Sequence, residues 1–102
     1  MITHSNLKTR KNQQIIFANK TKDFIFIRMN LAKEELNDSE EKLTVFRKKN
    51  PLVLDTPDLQ LQRARLLRSL DVNQQVFITL REQFEIAKIE ASKERLFINT
   101  YI

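Results

Sequence analysis

The side chains with catalytic or metal-binding chemistry are few and are not placed to act together. The chain has one histidine, His4, and no cysteine. Metal sites need several converging ligands, and the sequence offers His4 no evident partner. Glu40 and Glu41 are adjacent, so on a helix their carboxylates point in different directions. Paired-carboxylate catalysis instead needs two groups that converge on one substrate.

The composition also disfavours nucleophilic catalysis and the binding of phosphate by a glycine-rich loop. No histidine is placed to serve as the base for a serine or threonine nucleophile. The chain has no glycine, which excludes the glycine-rich loops that wrap phosphates. We therefore predict a protein that is not an enzyme, with no catalytic residue, no metal and no cofactor.

The formal charge of +5 is unevenly distributed along the chain. The charged residues of 1–33 are basic apart from Asp23, and an acidic stretch follows over residues 34–41. A second basic group flanks the two prolines and comprises Arg47, Lys48, Lys49, Arg63, Arg65 and Arg68. Basic patches attract acidic polymers, nucleic acid or acidic lipid, but they also occur on the solvated faces of long helices.

The lack of glycine and the spacing of apolar residues together predict long helices. Glycine supplies the positive-φ positions of tight turns, so its absence disfavours a fold of many short elements. Apolar residues repeat at alternating steps of three and four, as in the seam of a coiled coil. The first seam comprises Ile15, Ala18, Ile25, Met29, Ala32, Leu36, Leu43 and Phe46, interrupted by Lys22 and Ser39. The second comprises Leu59, Leu66, Leu70, Phe77, Leu80, Phe84, Ala87 and Ala91, interrupted by Arg63 and Asn73.

The two seams are joined by a connection that contains both prolines. A residue that precedes proline avoids the α conformation, so we expect the first helix to end at Asn50, before Pro51. Thr56 suits the N-cap position and Pro57 the first helical position of the second helix. The sequence therefore predicts helices over 6–50 and 57–94 joined by a connection over 51–56. The fold class is all-α, a long antiparallel two-helix coiled-coil hairpin.

The last segment, residues 95–102, differs from the rest in composition. It is β-branched and aromatic with partial alternation, a pattern that predicts a strand or an extended tail. Because one strand cannot form a sheet alone, we expect its partner to lie in sequence outside this chain. No apolar run approaches the roughly 20 residues of a membrane-spanning helix. The chain is therefore predicted to be a soluble part of a larger protein.

Two stretches resemble a known protein family. In the second half, residues 56–62 read TPDLQLQ and lead into residues 76–90, VFITLREQFEIAKIE. In the first half, residues 32–36 read AKEEL and residues 39–43 read SEEKL, followed by Phe46 and Asn50. These residues resemble the extracytoplasmic helical region of the bacterial polysaccharide co-polymerases, the chain-length determinant family. That region is shared with the membrane-anchored tyrosine autokinases of capsule export, and the resemblance covers residues 25–94.

The resemblance implies a function that composition does not. Family members sit in the bacterial inner membrane, project their helices into the periplasm and form rings of several subunits. They set the length of O-antigen, capsule or exopolysaccharide chains made by a separate polymerase, and they catalyse no sugar transfer. The resemblance thus implies a homo-oligomer, anchored in the membrane through segments outside this chain. Its implied partners are the polymerase and the growing glycan.

Two sets of residues are the candidates for function in such a protein. The six basic residues around the prolines lie at the predicted tip of the hairpin, and we expect them to contact acidic glycan or a neighbouring subunit. They are Arg47, Lys48, Lys49, Arg63, Arg65 and Arg68. Asn73 lies at a seam position, where a buried polar residue sets the register of a coiled coil.

The chain departs from the family pattern in two places, and other functions stay open. Phe77 stands where the family often has tyrosine, and residues 93–96 lack the proline that usually leads the family's chain into a strand. The hairpin could instead belong to a secretion adaptor that bridges inner- and outer-membrane machinery, or be a basic coiled-coil interaction module. Nucleic acid is not a predicted partner, because of the acidic stretch over 34–41 and the lack of an aromatic–basic surface motif.

Overall fold

Two long helices make up the fold. The computed structural model describes the backbone of residues 4–52 and 56–100, and the burial of side chains over 8–52 and 56–94. Helix α1 spans His4–Lys49 and helix α2 spans Pro57–Thr100. They form a helical hairpin, which confirms the predicted fold class. Within the described residues, neither helix has the length and hydropathy together that are needed to cross a membrane.

Asn50 forms the last backbone hydrogen bond of α1. Its backbone N–H donates to the Phe46 carbonyl oxygen over 3.0 Å, and its side-chain Nδ2 donates to the same oxygen over 3.0 Å. Pro51 then has no N–H with which to continue the ladder. The predicted end of the first helix, at residue 50, is thus within one residue of the observed end.

The start of α2 is capped by Thr56, as predicted. The Thr56 Oγ1 accepts a hydrogen bond from the backbone N–H of Leu59 over 3.3 Å. The Thr56 carbonyl accepts the first helical bond, from the Gln60 N–H over 3.0 Å. Pro57 begins the helix and Asp58 places an acidic group in its first turn, where the helix dipole favours it. Of the predicted connection, Pro51, Leu52 and Thr56 are non-helical, and residues 53–55 lie outside the described residues.

The predicted extended or strand segment over 95–102 is wrong for residues 95–100. Helix α2 continues to Thr100, six residues beyond the predicted end. No proline or glycine follows Glu94 to stop it, and a helix satisfies its backbone groups within the segment, whereas a strand needs a partner. Because the described residues contain no partner strand, the helix is favoured over the β propensity of these residues. Residues 101 and 102 lie outside the described residues.

The burial of side chains follows both predicted seams. The four most buried apolar residues, Ala32, Leu43, Ala87 and Ala91, are 5–7% exposed, and all lie at seam positions. The polar interruptions obey the same spacing, because they too are more buried than their neighbours along the helix. They are Lys22, Ser39, Arg63 and Asn73. The buried positions therefore keep the heptad spacing even where the side chain is polar.

The hairpin divides into two compact units, each built from a segment of both helices. The first comprises Met1–Met29 and Leu80–Ile102, and the second comprises Asn30–Thr79. In the first unit the rings of Phe26 and Phe84 lie 5.2 Å apart between centroids and are tilted by 42°. This geometry is within the favourable range for an aromatic pair, and it links α1 to α2 beside the seam.

Removal of the Thr56 cap tests the start of α2. We expect Thr56→Ala to lower the free energy of unfolding by about 1 kcal/mol, because the Leu59 N–H loses its acceptor. Urea unfolding followed by far-UV circular dichroism measures the change. Thr44→Ala is the matched control, since its exposed hydroxyl donates only to the Glu40 carbonyl one turn back, over 2.9 Å. The control should change stability by less than about 0.5 kcal/mol; equal losses in the two variants would argue against a capping role.

Candidate interaction surfaces

The six basic candidates all lie in the second unit, at the ends of the helices that meet the connection. Arg47, Lys48 and Lys49 form the last turn of α1, where cations complement the carbonyl end of the helix. Arg63, Arg65 and Arg68 lie in the first turns of α2. Five of the six are exposed, and Arg63 is half-buried because it occupies a seam position.

Two of the six candidates, one on each helix, line one hollow near the tip. Arg47 and Arg63 border a recess of about 190 Å³, which we call the arginine hollow. The amide side chains of Asn50 and Gln60 complete its polar lining. Its apolar lining is contributed by Phe46, Leu52 and Leu59. No carboxylate among the described residues lines it.

A second recess near the tip has a different electrostatic character. It has a volume of about 580 Å³ and includes Lys49 and Lys42, but also the carboxylates of Asp38 and Glu41. We call it the mixed-charge hollow. Lys48, Arg65 and Arg68 line neither recess. The structure therefore separates the predicted basic group into one pair, one lysine in a mixed environment and three solvated cations.

Asn73 meets a buried polar partner across the helix pair. Its Nδ2 donates to the Ser39 hydroxyl and, over 3.4 Å, to the Glu35 carbonyl. Ser39 is 6% exposed, and its Oγ donates to the same Glu35 carbonyl over 3.0 Å. The Ser69 hydroxyl lies 3.5 Å from the Ser39 Oγ. These four residues form a polar layer between α1 and α2, which is the arrangement expected of a register-setting residue; that role stays a prediction.

The first unit carries a groove that the sequence analysis did not identify. It has a volume of about 700 Å³, and we call it the terminal groove. Phe17 and Ile86 line it from the two helices, with Ala18 and Ala87 at its floor and Glu90 and Arg10 among its charged residues. Phe17 is 72% exposed and Ile86 is 60% exposed. Of the apolar residues outside the first seam, Phe17 lines this groove, and its place seven residues before Phe24 is the sequence signal that could have indicated it.

Two cations lie over aromatic rings in the same unit. The Arg28 guanidinium carbon is 5.9 Å from the centroid of the Phe24 ring. The Lys88 ammonium is 5.0 Å from the centroid of the Phe84 ring, and it also pairs with Glu85 over 2.9 Å. At exposed sites such contacts contribute about 0.5–1 kcal/mol. They cover part of the aromatic surface without removing it from solvent.

Metal-binding clusters and similar proteins are the two remaining sources of evidence on function. Within residues 4–52 and 56–100, no group of three or more histidine, cysteine, aspartate or glutamate side chains could hold a metal ion. No protein-family model, no curated protein and no solved structure matches the chain. Any function proposed for the candidate surfaces must therefore be argued from their shape, lining residues and charge.

The polar layer can be tested by a double-mutant cycle. We expect Ser39→Ala and Asn73→Ala to be coupled by about 0.5–1.5 kcal/mol in the free energy of unfolding, because each removes one end of the same hydrogen bond. Urea unfolding of the two single variants and the double variant measures the coupling. Thr44→Ala replaces Ser39→Ala in the control cycle, since Thr44 bonds only within its own helix. Coupling below about 0.5 kcal/mol in both cycles would rule out a polar layer in solution.

Proposed function

We propose that this chain is a non-enzymatic assembly element of the polysaccharide co-polymerase type, which acts by packing its hairpin against copies of itself. In this proposal the assembly sits at the periplasmic face of a bacterial inner membrane. It sets the length of O-antigen, capsule or exopolysaccharide chains that a separate polymerase makes. The resemblance of residues 25–94 to that family supports the choice of substrate class.

The observation that carries the assembly part of the proposal is the amount of apolar surface that the hairpin leaves uncovered. Among the described side chains, no large one is fully buried. Phe17, Phe24 and Ile86 in the first unit are 60–72% exposed. In the second unit Leu31, Leu61 and Val72 are 50–54% exposed. Apolar surface on this scale is typical of a protein that is covered by partners.

Self-association also accounts for the distribution of this surface. A two-helix hairpin has one seam, so apolar residues on the flanks of its helices have no partner within the hairpin. The flanking residues occur in both units and on both helices, as a side-by-side arrangement of copies would require. Burying one such phenylalanine or isoleucine contributes about 1.5–3 kcal/mol. A few of these contacts per copy would stabilise an oligomer.

Assembly is tested by substitutions in the terminal groove. We expect the wild-type chain to sediment as an oligomer at micromolar concentration. Phe17→Ser with Ile86→Ser should weaken assembly at least about tenfold, because two large apolar contacts are lost. Asn12→Ser is the control, since Asn12 is exposed on the same stretch of α1 and does not line the groove. A wild-type chain that is monomeric across the accessible concentration range would refute the assembly part of the proposal.

The substrate class is tested in the bacterium that encodes the chain. Deletion of the gene should broaden the length distribution of a surface polysaccharide on a gel, and the wild-type gene should restore it. The groove variant should fail to restore it, because an unassembled hairpin cannot act. Reversal of charge at Arg63, Arg65 and Arg68 should shift the distribution if the basic tip contributes. Unchanged ladders after gene deletion would overturn the proposed function, whereas unchanged ladders after charge reversal alone would exclude only a role for the tip.

A further inference from the structure

The arginine hollow has the properties of a binding site for one anionic group, and we propose that it binds a single carboxylate or phosphate group of an acidic carbohydrate. The inference rests on the proposed function only for the carbohydrate; the anionic group is argued from the hollow itself. In this proposal, two of the six basic candidates at the tip, Arg47 and Arg63, bind the anionic group.

The charge of the hollow is uncompensated within the described part of the chain. Arg47 and Arg63 contribute two positive charges. Among the described residues, neither arginine takes part in an ion pair. The mixed-charge hollow at the same end of the helices contains Asp38 and Glu41 beside its lysines. Of the two recesses at the tip, an anion would therefore prefer the arginine hollow.

The position of Arg63 supports a functional role more strongly than its charge alone. It occupies a seam position, where Leu59 and Leu66 are its neighbours, and it is half-buried there. A half-buried arginine replaces apolar packing in the seam, and its guanidinium needs an anion or hydrogen-bond acceptors to complete its hydrogen bonding. A leucine at this position would continue the seam. An arginine in its place is explained if an anion completes its hydrogen bonding.

The donors of the hollow suit planar oxyanions. A guanidinium presents N–H groups in a fork that matches the two oxygens of a carboxylate or a phosphate. The Asn50 Nδ2 already donates to the Phe46 carbonyl, and the Gln60 amide is uncharged, so the two arginines are the charged donors of the hollow. The proposed site therefore has one guanidinium from each helix. A lysine at either position would lack the planar pair of N–H donors.

The size and the apolar lining indicate what carries the anion. A volume of about 190 Å³ is below the roughly 300–1,000 Å³ of sites that enclose a whole small-molecule ligand. The hollow therefore takes one group and leaves the rest of the ligand outside. Leu52, which is 75% exposed, and Leu59 offer apolar surface beside the arginines for the C–H face of a sugar ring. An acidic sugar within a longer glycan has this combination of a charged group and an apolar face.

Binding to the 102-residue chain tests the site directly. The probes are trigalacturonate, inorganic phosphate and the neutral sugar maltotriose, each titrated while the arginine side-chain Nε signals are followed by NMR. We expect trigalacturonate to shift the Arg47 and Arg63 signals saturably, and maltotriose to shift neither. Saturable binding of phosphate at the same two arginines, with none of trigalacturonate, would assign the anionic group to phosphate. No saturable shift with either anion would overturn the proposal.

Matched substitutions separate a defined site from a diffuse basic surface. We expect Arg47→Gln and Arg63→Gln each to weaken binding at least about tenfold, because each removes one charged fork. Arg63→Lys keeps the charge and should still weaken binding, since the fork is lost. Arg65→Gln and Arg68→Gln remove the same charge from positions that do not line the hollow, and they should change affinity by less than about twofold. Equal loss in all four glutamine variants would overturn the site.

Two further measurements keep the test independent of folding and of the proposed function. Far-UV circular dichroism of each variant checks that the helices are intact, and Arg47→Gln serves if Arg63→Gln fails to fold. Sedimentation in the presence and absence of trigalacturonate reports assembly separately. Failure of anion binding with assembly intact would refute the arginine hollow alone. Binding by a chain that stays monomeric would support the hollow and count against the assembly proposal.

Discussion

Packing of one stripe of α1 against one stripe of α2 is the interaction on which the structure depends. A pair of helices can bury only the positions that face each other, and the most buried of these are Ala32, Leu43, Ala87 and Ala91. Alanine at three of these positions lets the helix backbones approach closely but removes little apolar area from water. Several large apolar side chains, among them Phe17, Phe24 and Ile86, lie beside the seam and remain exposed.

Three of the four polar residues within the seams fall into two kinds. Ser39 and Asn73 satisfy each other across the helix pair, so their polarity is used inside the hairpin. Arg63 has no such partner among the described residues and borders a recess at the tip. Each replaces an apolar contact and so reduces the stability available from packing. The predicted role of the first kind is to favour one alignment of the helices, and the proposed role of the second is to bind an anionic group.

Local chemistry explains which parts of the fold were predictable. Caps act within four residues, so Thr56 and the Asn50–Pro51 pair define the helix ends from sequence alone. The seams could be predicted as well, because the apolar residues of each seam repeat at a regular spacing within one helix. The segment over 95–100 was mispredicted, because the outcome depends on whether a partner strand exists and not on its own propensity. The arginine hollow could not be predicted from the sequence, because Arg47 and Arg63 lie on different helices. They come together only through the register of the two helices.

The small amount of buried surface has a thermodynamic consequence. The heat-capacity change of unfolding grows with the apolar area that becomes exposed, and no large described side chain is fully buried in the hairpin. An isolated copy should therefore have a shallow stability curve and a broad, weakly cooperative thermal transition. Contacts that cover Phe17, Phe24 or Ile86 would add to this heat-capacity change. The curvature of stability with temperature thus becomes a measure of how much of the hairpin is covered.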